Sequence, residues 1–593
     1  MKAIILFLFL FLSVSSYSQN LFTENQESKN MEVVDRFLST KYYKNFYTGQ
    51  VDLSVLESDV VYLQIPERRN IEFHKSEQSE GANVWIGNSD NGNLIIVWDE
   101  DEYLGTITDD LNTYQISSVD KEHGIICELD HSKYPPELCP DHENEEHEHE
   151  NEEQPADSEA TNGLESDETS GIGESRSALN GEYDCNLRVL VAYTSAVQNS
   201  TNVRNLANLA IHETNVSYAN SQINHRVELA ALIPVNYTES SFSTDLDRFK
   251  KTSDGYMDEI HTYRDLYNAD VCVLLINNST SCGLASQIGS TKTTAFCAVH
   301  WDCATGNYSF AHEIGHLQSA RHDTYVDNTT TPYAYGHGYV SPNNNWRTIM
   351  AYADACGSCT RLQFWSNPNV NHPIDGLPMG NASTADNARV LNQTTPTLRA
   401  FYQPPTALTV NSSAVGNSRY VDAIAKDSIV TSGTVTVSSG QQVDMRAGTR
   451  IVLKPGFHAT SGSSFNARIT NIYDCGGSSK SISTDVINEL VASNEAEQAE
   501  WGQNVELSVS VYPNPVSNIL NIEYNMPERD WLKITILDAQ GRVLKVYEEP
   551  RVKERGFYSA TLSLDELISG LYFVRVTLPN SQKSKIARII VQK

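Results

Sequence analysis

The sequence predicts a multidomain chain. An α/β domain with a mixed twisted sheet and one chemically loaded helix is followed by a small stacked-β module and an antiparallel β-sandwich. Three observations predict it. From Asn186 onward, strand-like apolar runs alternate with helix-period segments, as in an α/β layer. After Pro404 the composition shifts to Val, Thr, Ser and Gly in short alternating runs. From Tyr512 to the last residue, alternating runs are punctuated by turn residues, the pattern of a small antiparallel sandwich. At 593 residues the chain is too long for one core.

The elements follow in order. Met1 and Lys2 precede A-I-I-L-F-L-F-L-F-L and then the small residues Ser16 and Ser18, which predicts a cleavable signal peptide over 1–18. The apolar run is shorter than the roughly 20 residues a spanning helix needs. No later segment is long and apolar enough, so the mature protein is expected to be exported without a transmembrane segment. Residues 19–140 carry short β-like runs such as V-V-Y-L-Q-I and N-L-I-I-V-W, which suggest a small propeptide-like region before the main domain.

The formal net charge of −32 is largely local. From Asp141 to Ser175 there are fourteen Asp and Glu and no Lys or Arg. Such a run repels itself, so 141–181 reads as an acidic linker. His142, His147 and His149 are then solvated linker residues before metal ligands. An exposed join is where proteolysis concentrates, which places processing between Thr169 and Asn180. Nucleic acid is excluded as a partner, because phosphate contact needs concentrated Lys and Arg.

An α/β domain is expected over 182–403. N-L-R-V-L-V-A-Y, V-E-L-A-A-L-I-P-V and A-D-V-C-V-L-L-I-N are its strands. The apolar spacing from Val203 to Ser221 and the segments Met257–Leu266 and Ala385–Gln393 are helices. Over 404–475, Gly440, Gly448, Gly456 and Gly462 recur at similar intervals, which suggests small stacked β-turns. That part resembles the coat-hanger-like β stacks of exported bacterial proteins. A linker over 476–510 precedes the last domain, 511–593. Tyr512-Pro-Asn-Pro515, Asp538-Ala-Gln-Gly541, Gly570-Leu-Tyr-Phe-Val574 and the closing K-I-A-R-I-I-V-Q-K resemble the C-terminal sorting domain of the type IX secretion system. The resemblance implies that machinery as a partner, and release from the cell or attachment to its outer surface.

Ten cysteines become interpretable in an exported chain. Cys185, Cys272, Cys282, Cys297, Cys303, Cys356, Cys359 and Cys475 form an even set compatible with four disulfides, with the pairing open. Cys356-Gly-Ser-Cys359 suits a disulfide better than a redox pair or a thiolate metal site.

Phe310 to Asp323, F-A-H-E-I-G-H-L-Q-S-A-R-H-D, is the chemically loaded helix. H-E-x-x-H sets His312 and His316 one turn apart on one face, within reach of one zinc ion, with Glu313 beside the first. Three neutral imidazoles would leave zinc doubly positive with an open position, where a water becomes acidic near pH 7 and Glu313 can take its proton. H-E-x-x-H alone also occurs on plain surface helices. His322, six residues after His316, and Thr348-Ile-Met-Ala-Tyr352 downstream resemble the metzincin zinc proteases. Their pattern is H-E-x-x-H-x-x-G-x-x-H followed by a methionine turn.

Asp323 is similar to the reprolysin-like branch, and Met350-Ala-Tyr352 to the astacin and serralysin branches. With Ala334–Tyr339, R-T-I-M-A-Y and Phe364–Pro368, the combination most resembles the bacterial peptidyl-Asp metalloendopeptidases over roughly 182–403. The resemblance implies His312, His316 and His322 as zinc ligands, Glu313 as general base, Tyr352 as oxyanion support and Met350 beneath the metal. Ser319 departs from it, standing where the family has glycine.

Gly283, Leu284 and Ala285 resemble the edge strand to which an extended protein or peptide substrate adds, and equally a plain core strand. By the metzincin resemblance, Arg361 falls in the segment that in that family walls the pocket for the residue after the cut bond. There its planar fork could pair with a substrate carboxylate, which would suit cleavage on the N-terminal side of Asp, or it is an ordinary surface arginine. Cys127 and Cys139 admit a thiolate latency switch, or more simply a mutual disulfide. A calcium requirement is open. The competing class is a surface adhesin that keeps a zinc-site scaffold, and an intact Glu313 argues against it.

Overall fold

Apolar strands hold the site from both sides. In the computed structural model, residues 20–25, 34, 38, 42–66, 70–76, 83–120, 123–138, 140, 185–357, 359–472, 507–512, 516–548, 552–553 and 556–593 are described. The expected signal peptide, the acidic linker with its histidines, the processing region and Cys139 lie outside these residues, as do Cys475 and most of the second linker. The chain divides into two compact units, 1–477 and 478–593.

In the first unit, strands between Phe22 and Leu129 build a nine-stranded sheet in which every neighbouring pair is antiparallel. Its period-two alternation serves two cores. Trp85, Leu94 and Ile96 pack within this region. Val84, Ile86, Ile95, Val97 and Leu104 point the other way, into the core of the central domain.

That domain is built on β1 (Leu187–Tyr193), α1 (Val203–Asn220), β2 (Val227–Pro234), β3 (Val271–Ile276), β4 (Gly283–Ala285), β5 (Phe296–His300), α2 (Ser309–Leu317) and α3 (Asn387–Leu398). The Asn202 side chain caps α1 by accepting from the backbone N–H of Arg204 and Asn205. Strands β2, β1, β3 and β5 are parallel neighbours, and β4 closes the edge antiparallel to β5. β3 is buried at all six positions, as expected of a strand covered on both faces. A further helix, Phe242–Lys250, escapes the periodicity reading.

The stacked region does not stand apart. β6 (Tyr420–Ala425) pairs antiparallel with β2, and β7 (Gln442–Ala447) and β8 (Ser464–Ile469) follow in parallel. The central sheet thus runs unbroken through eight strands, β4-β5-β3-β1-β2-β6-β7-β8. Tyr420 faces Gln442, which faces Ser464, and Ser428 faces Arg450. These partners recur along the chain in a constant register, so the repeat is a full coil of a parallel stack, longer than the glycine spacing suggests.

Four disulfides among the eight downstream cysteines do not form. Cys282–Cys303 and Cys356–Cys359 are bonded, and Cys185 is also bonded. Cys272 and Cys297 are buried free thiols. They sit on adjacent strands in register Val273↔Cys297, and the alternation sends Cys272 and Cys297 into cores on opposite faces of the sheet.

The second unit has antiparallel sheets of three and four strands. Ile522, Ile536 and Val574 from the two sheets share one core. Among the described residues no helix is long and apolar enough to cross a membrane.

Candidate active site

Phe310, Ile314 and Leu317 bury one face of α2 and so fix the direction of the other. His312 and His316 project from it. The chain then turns at Ser319, whose φ is +76°, the left-handed conformation expected where the family has glycine. His322 is returned by this turn. Its Nε2 lies 3.1 Å from His312 Nε2 and 3.0 Å from His316 Nε2, and all three rings are buried. Two nitrogens on one tetrahedral zinc at 2.0–2.1 Å stand roughly 3.3 Å apart, so the cluster has the dimensions of a ligand set.

The far side of two of the rings, those of His312 and His316, supports the same role. His312 Nδ1 is 2.9 Å from the Ile349 carbonyl and His316 Nδ1 is 2.9 Å from that of Ala320. Protons donated there leave the Nε2 lone pairs free for a metal. Burial, Arg361 and the other two imidazoles hold His312 well below the usual histidine range, so it is neutral, as a ligand must be. Arg361 Nη2 also lies 2.6 Å from His312 Nδ1. With Nε2 on a metal, that nitrogen carries the proton given to Ile349, so the arginine contact is one of packing and charge. Among the described residues these three histidines are the group able to hold a metal.

Glu313 is fully buried, and neither carboxylate oxygen has a hydrogen-bond partner among the described residues. Burial, then the nearby Glu137 carboxylate, push its carboxyl well above the ordinary range. Orphaned oxygens beside three converging nitrogens fit an ion with an attached water. Gly283 of β4 makes room, since a Cβ there would lie 2.3 Å from Glu313 Oε1. Gly315 does the same beneath the helix, where a Cβ would lie 2.5 Å from the Trp365 ring and 3.2 Å from Met350 Sδ. The Tyr352 ring sits 4.3 Å from that of His322. Its backbone N–H donates to Asp323 Oδ2 at 2.8 Å, tying the methionine turn to the third-histidine turn.

The remaining expected residues converge on the same cleft. Arg361 is buried rather than at the surface. Its Nε donates to the Ile349 carbonyl at 2.8 Å, and its Nη1 to the Asn307 carbonyl at 2.9 Å and to Glu137 Oε1 at 2.8 Å. β4 is at once an edge and a core strand. Leu284 and Ala285 are buried, while the Gly283 carbonyl accepts from the Leu138 N–H at 3.0 Å. Glu137 and Ser309 are the site residues that motif reasoning missed. Pro135-Pro136 before Glu137, which favours an extended segment, was the available signal. Cys127 is a buried thiol, so the expected mutual disulfide with Cys139 is not formed; Cys139 itself lies outside the described residues.

Three imidazoles closing on one point, with a carboxylate beside them on the same helix, define a zinc-dependent metallopeptidase. Residues 181–366 match the metallopeptidase family M12, and residues 510–592 match the secretion-system C-terminal sorting domain. The peptidyl-Asp metalloendopeptidase of Stenotrophomonas maltophilia (strain K279a) is 47% identical over 322 residues, covering 53% of this chain and 72% of that protein. The protein of the same name from Xanthomonas campestris pv. campestris is 56% identical over 218 residues, 36% of this chain and 51% of its own length. That of Pseudomonas fragi is 45% identical over 191 residues, 32% of this chain and 99% of its own length. The chain belongs to this peptidyl-Asp metalloendopeptidase family of zinc endopeptidases, and its sorting domain marks it for type IX secretion to the cell surface or beyond.

Proposed function

We propose that the chain is made as a precursor in which residues 19–140 form the propeptide, and that the processed, metzincin-like enzyme cuts proteins on the N-terminal side of Asp. His312, His316 and His322 hold the ion, with Met350 supporting the site from below. When bound, zinc supplies a Lewis acid and lowers the pKa of a coordinated water to about 7. Glu313 takes the proton of the attacking water and returns it to the departing amine. Tyr352, with its hydroxyl at the cleft, donates to the carbonyl oxygen as charge grows there. Gly283 to Ala285 receive the substrate backbone, and Arg361 receives the carboxylate of the residue after the cut.

The observation that carries this reading is the convergence of His312, His316 and His322 at 3.0–3.1 Å beside the buried carboxylate of Glu313. The relatives' name supports the Asp preference. In Glu313→Gln we expect hydrolysis to fall at least about a hundredfold with zinc content unchanged. Proteolysis at the wild-type rate would remove Glu313 from the mechanism.

A further inference from the structure

Arg361 is a buried cation whose one carboxylate partner among the described residues is Glu137, from the N-terminal region. Both side chains are nearly inaccessible, at 2% and 4% exposure. Glu137 Oε1 also accepts from Ser309 Oγ at 2.7 Å. Ser309 is the first residue of α2 and is itself buried. Two donors from different parts of the domain therefore meet on one carboxylate oxygen.

The backbone around Glu137 takes the other contacts of the cleft. The Pro136 carbonyl accepts from the Cys282 N–H at 2.9 Å, and the Leu138 N–H donates to the Gly283 carbonyl at 3.0 Å. The Tyr352 hydroxyl donates to the Glu137 carbonyl at 2.7 Å. Upstream, His131 Nδ1 accepts from the Arg361 N–H at 3.2 Å and its Nε2 faces the Gly306 carbonyl at 3.1 Å. The segment runs in the same sense as β4, meeting Cys282 at Pro136 and Gly283 at Leu138. Pro136 has no N–H to give, so a full ladder does not form.

We infer that Arg361 and Ser309 form a carboxylate-recognition pocket, and that the precursor silences the enzyme by filling it with its own Glu137 as a substrate-like plug. The inference rests on the proposed preference for an acidic residue and adds to it. Ser309 becomes a second specificity-determining residue, and latency acquires a contact independent of any cysteine. Once the N-terminal region departs, Arg361 keeps the Ile349 and Asn307 carbonyls and its contact with His312, but no carboxylate among the described residues. A buried charge without a counter-ion is costly, which prepares the pocket for the carboxylate of an incoming acidic side chain.

Full-length precursor, verified intact by mass, is assayed for initial rate on a quenched peptide containing Asp. Glu137→Gln should raise that rate at least tenfold over wild type, and Glu137→Asp much less. In parallel, a synthetic peptide of residues 131–138, which omits Cys139, is compared with the same peptide carrying Glu137→Gln as an inhibitor of the secreted, processed enzyme. The unsubstituted peptide should bind at least tenfold better, and Ser309→Ala should narrow both this ratio and the Asp-over-Asn ratio of substrates. Equal inhibition by the two peptides, with Asp still preferred over Asn, overturns the plug and leaves the proposed specificity standing. Loss of the Asp-over-Asn preference in wild type overturns the specificity itself, and with it the pocket. If Glu137→Gln precursor is not secreted, the peptide comparison decides.

Discussion

Two regions flank the catalytic sheet of this protease, and they are attached by different physics. The N-terminal sheet docks through side chains, with Val84, Ile86, Ile95, Val97 and Leu104 entering the central core. Burial of this kind is worth about 1.5–3 kcal/mol per large aliphatic side chain. Among the described residues no backbone ladder joins it to the sheet at that seam. The stacked region is attached by the backbone itself, since β6 pairs with β2. Contacts made by side chains can separate when the chain is cut, whereas a shared ladder cannot open without breaking the fold. Under the proposed processing, the first region leaves and the second stays.

The buried carboxylates at the two seams sharpen the contrast. Asp422, on β6, accepts from Arg188 Nη1 at 2.9 Å and Arg446 Nε at 3.1 Å, and the same arginines reach Glu228 on β2. Burial opposes its ionisation, but Arg446 and Arg188 outweigh burial and hold its carboxyl below the ordinary range. Glu213, on α1, has no such compensation. It accepts from Thr106 Oγ1 of the N-terminal sheet and from the Gly306 N–H at 3.0 Å. Burial pushes it up to about 8 despite these hydrogen bonds.

The largest effect is therefore expected at the seam with the shared ladder. Asp422→Ala leaves two buried guanidinium groups short of a partner and should cost about 3–5 kcal/mol. Thermal unfolding of the secreted precursor checks this, and a Tm equal to wild type would mean that the network contributes nothing to the join.

A smaller, pH-dependent effect is expected at the N-terminal seam. The folded pKa of Glu213 lies above its unfolded value, so the folded precursor binds the extra proton. Its contribution to stability is fully present below about pH 4.5, and it is lost as pH rises toward 8. Glu213→Gln keeps an oxygen acceptor and cannot ionise. It should stabilise the precursor on the order of 2 kcal/mol at pH 8 and by little at pH 4.5. Parallel Tm-against-pH curves for the two proteins would show that Glu213 is not the titrating group.

How much of this was legible in the sequence depends on whether the signal is local. The ligand helix was legible, because His312, Glu313 and His316 are fixed by helical spacing and Met350 by a short motif. β1, α1, β2 and β3 were legible from apolar periodicity. The continuity of β2 into β6 was not, because nothing in Val227–Pro234 names a partner nearly two hundred residues away. The free state of Cys272 and Cys297 was hidden for a related reason. Only the register of β3 on β5 reveals that they face opposite cores. Glu137 was the hardest, since one glutamate becomes informative only when the fold sets it against Arg361.

Ser319 joins what was legible to what was not, and its test is the smallest in effect. The motif says that glycine belongs there, and the φ of +76° says why. A side chain in that conformation costs on the order of 1–2 kcal/mol relative to glycine. On the proposed ligation, the turn persists because His322 returns to the histidine cluster, where metal binding contributes several-fold more than the strain costs. The buried Ser319 side chain also faces Gly289, where a Cβ would lie 2.8 Å from Ser319 Oγ. Removing the hydroxymethyl group therefore relieves the backbone and empties only a small space. Ser319→Gly should keep its zinc content and raise Tm, by less than Asp422→Ala lowers it. A fall in Tm would mean that the contact with Gly289 outweighs the strain, and that the serine is part of how this chain holds its third ligand.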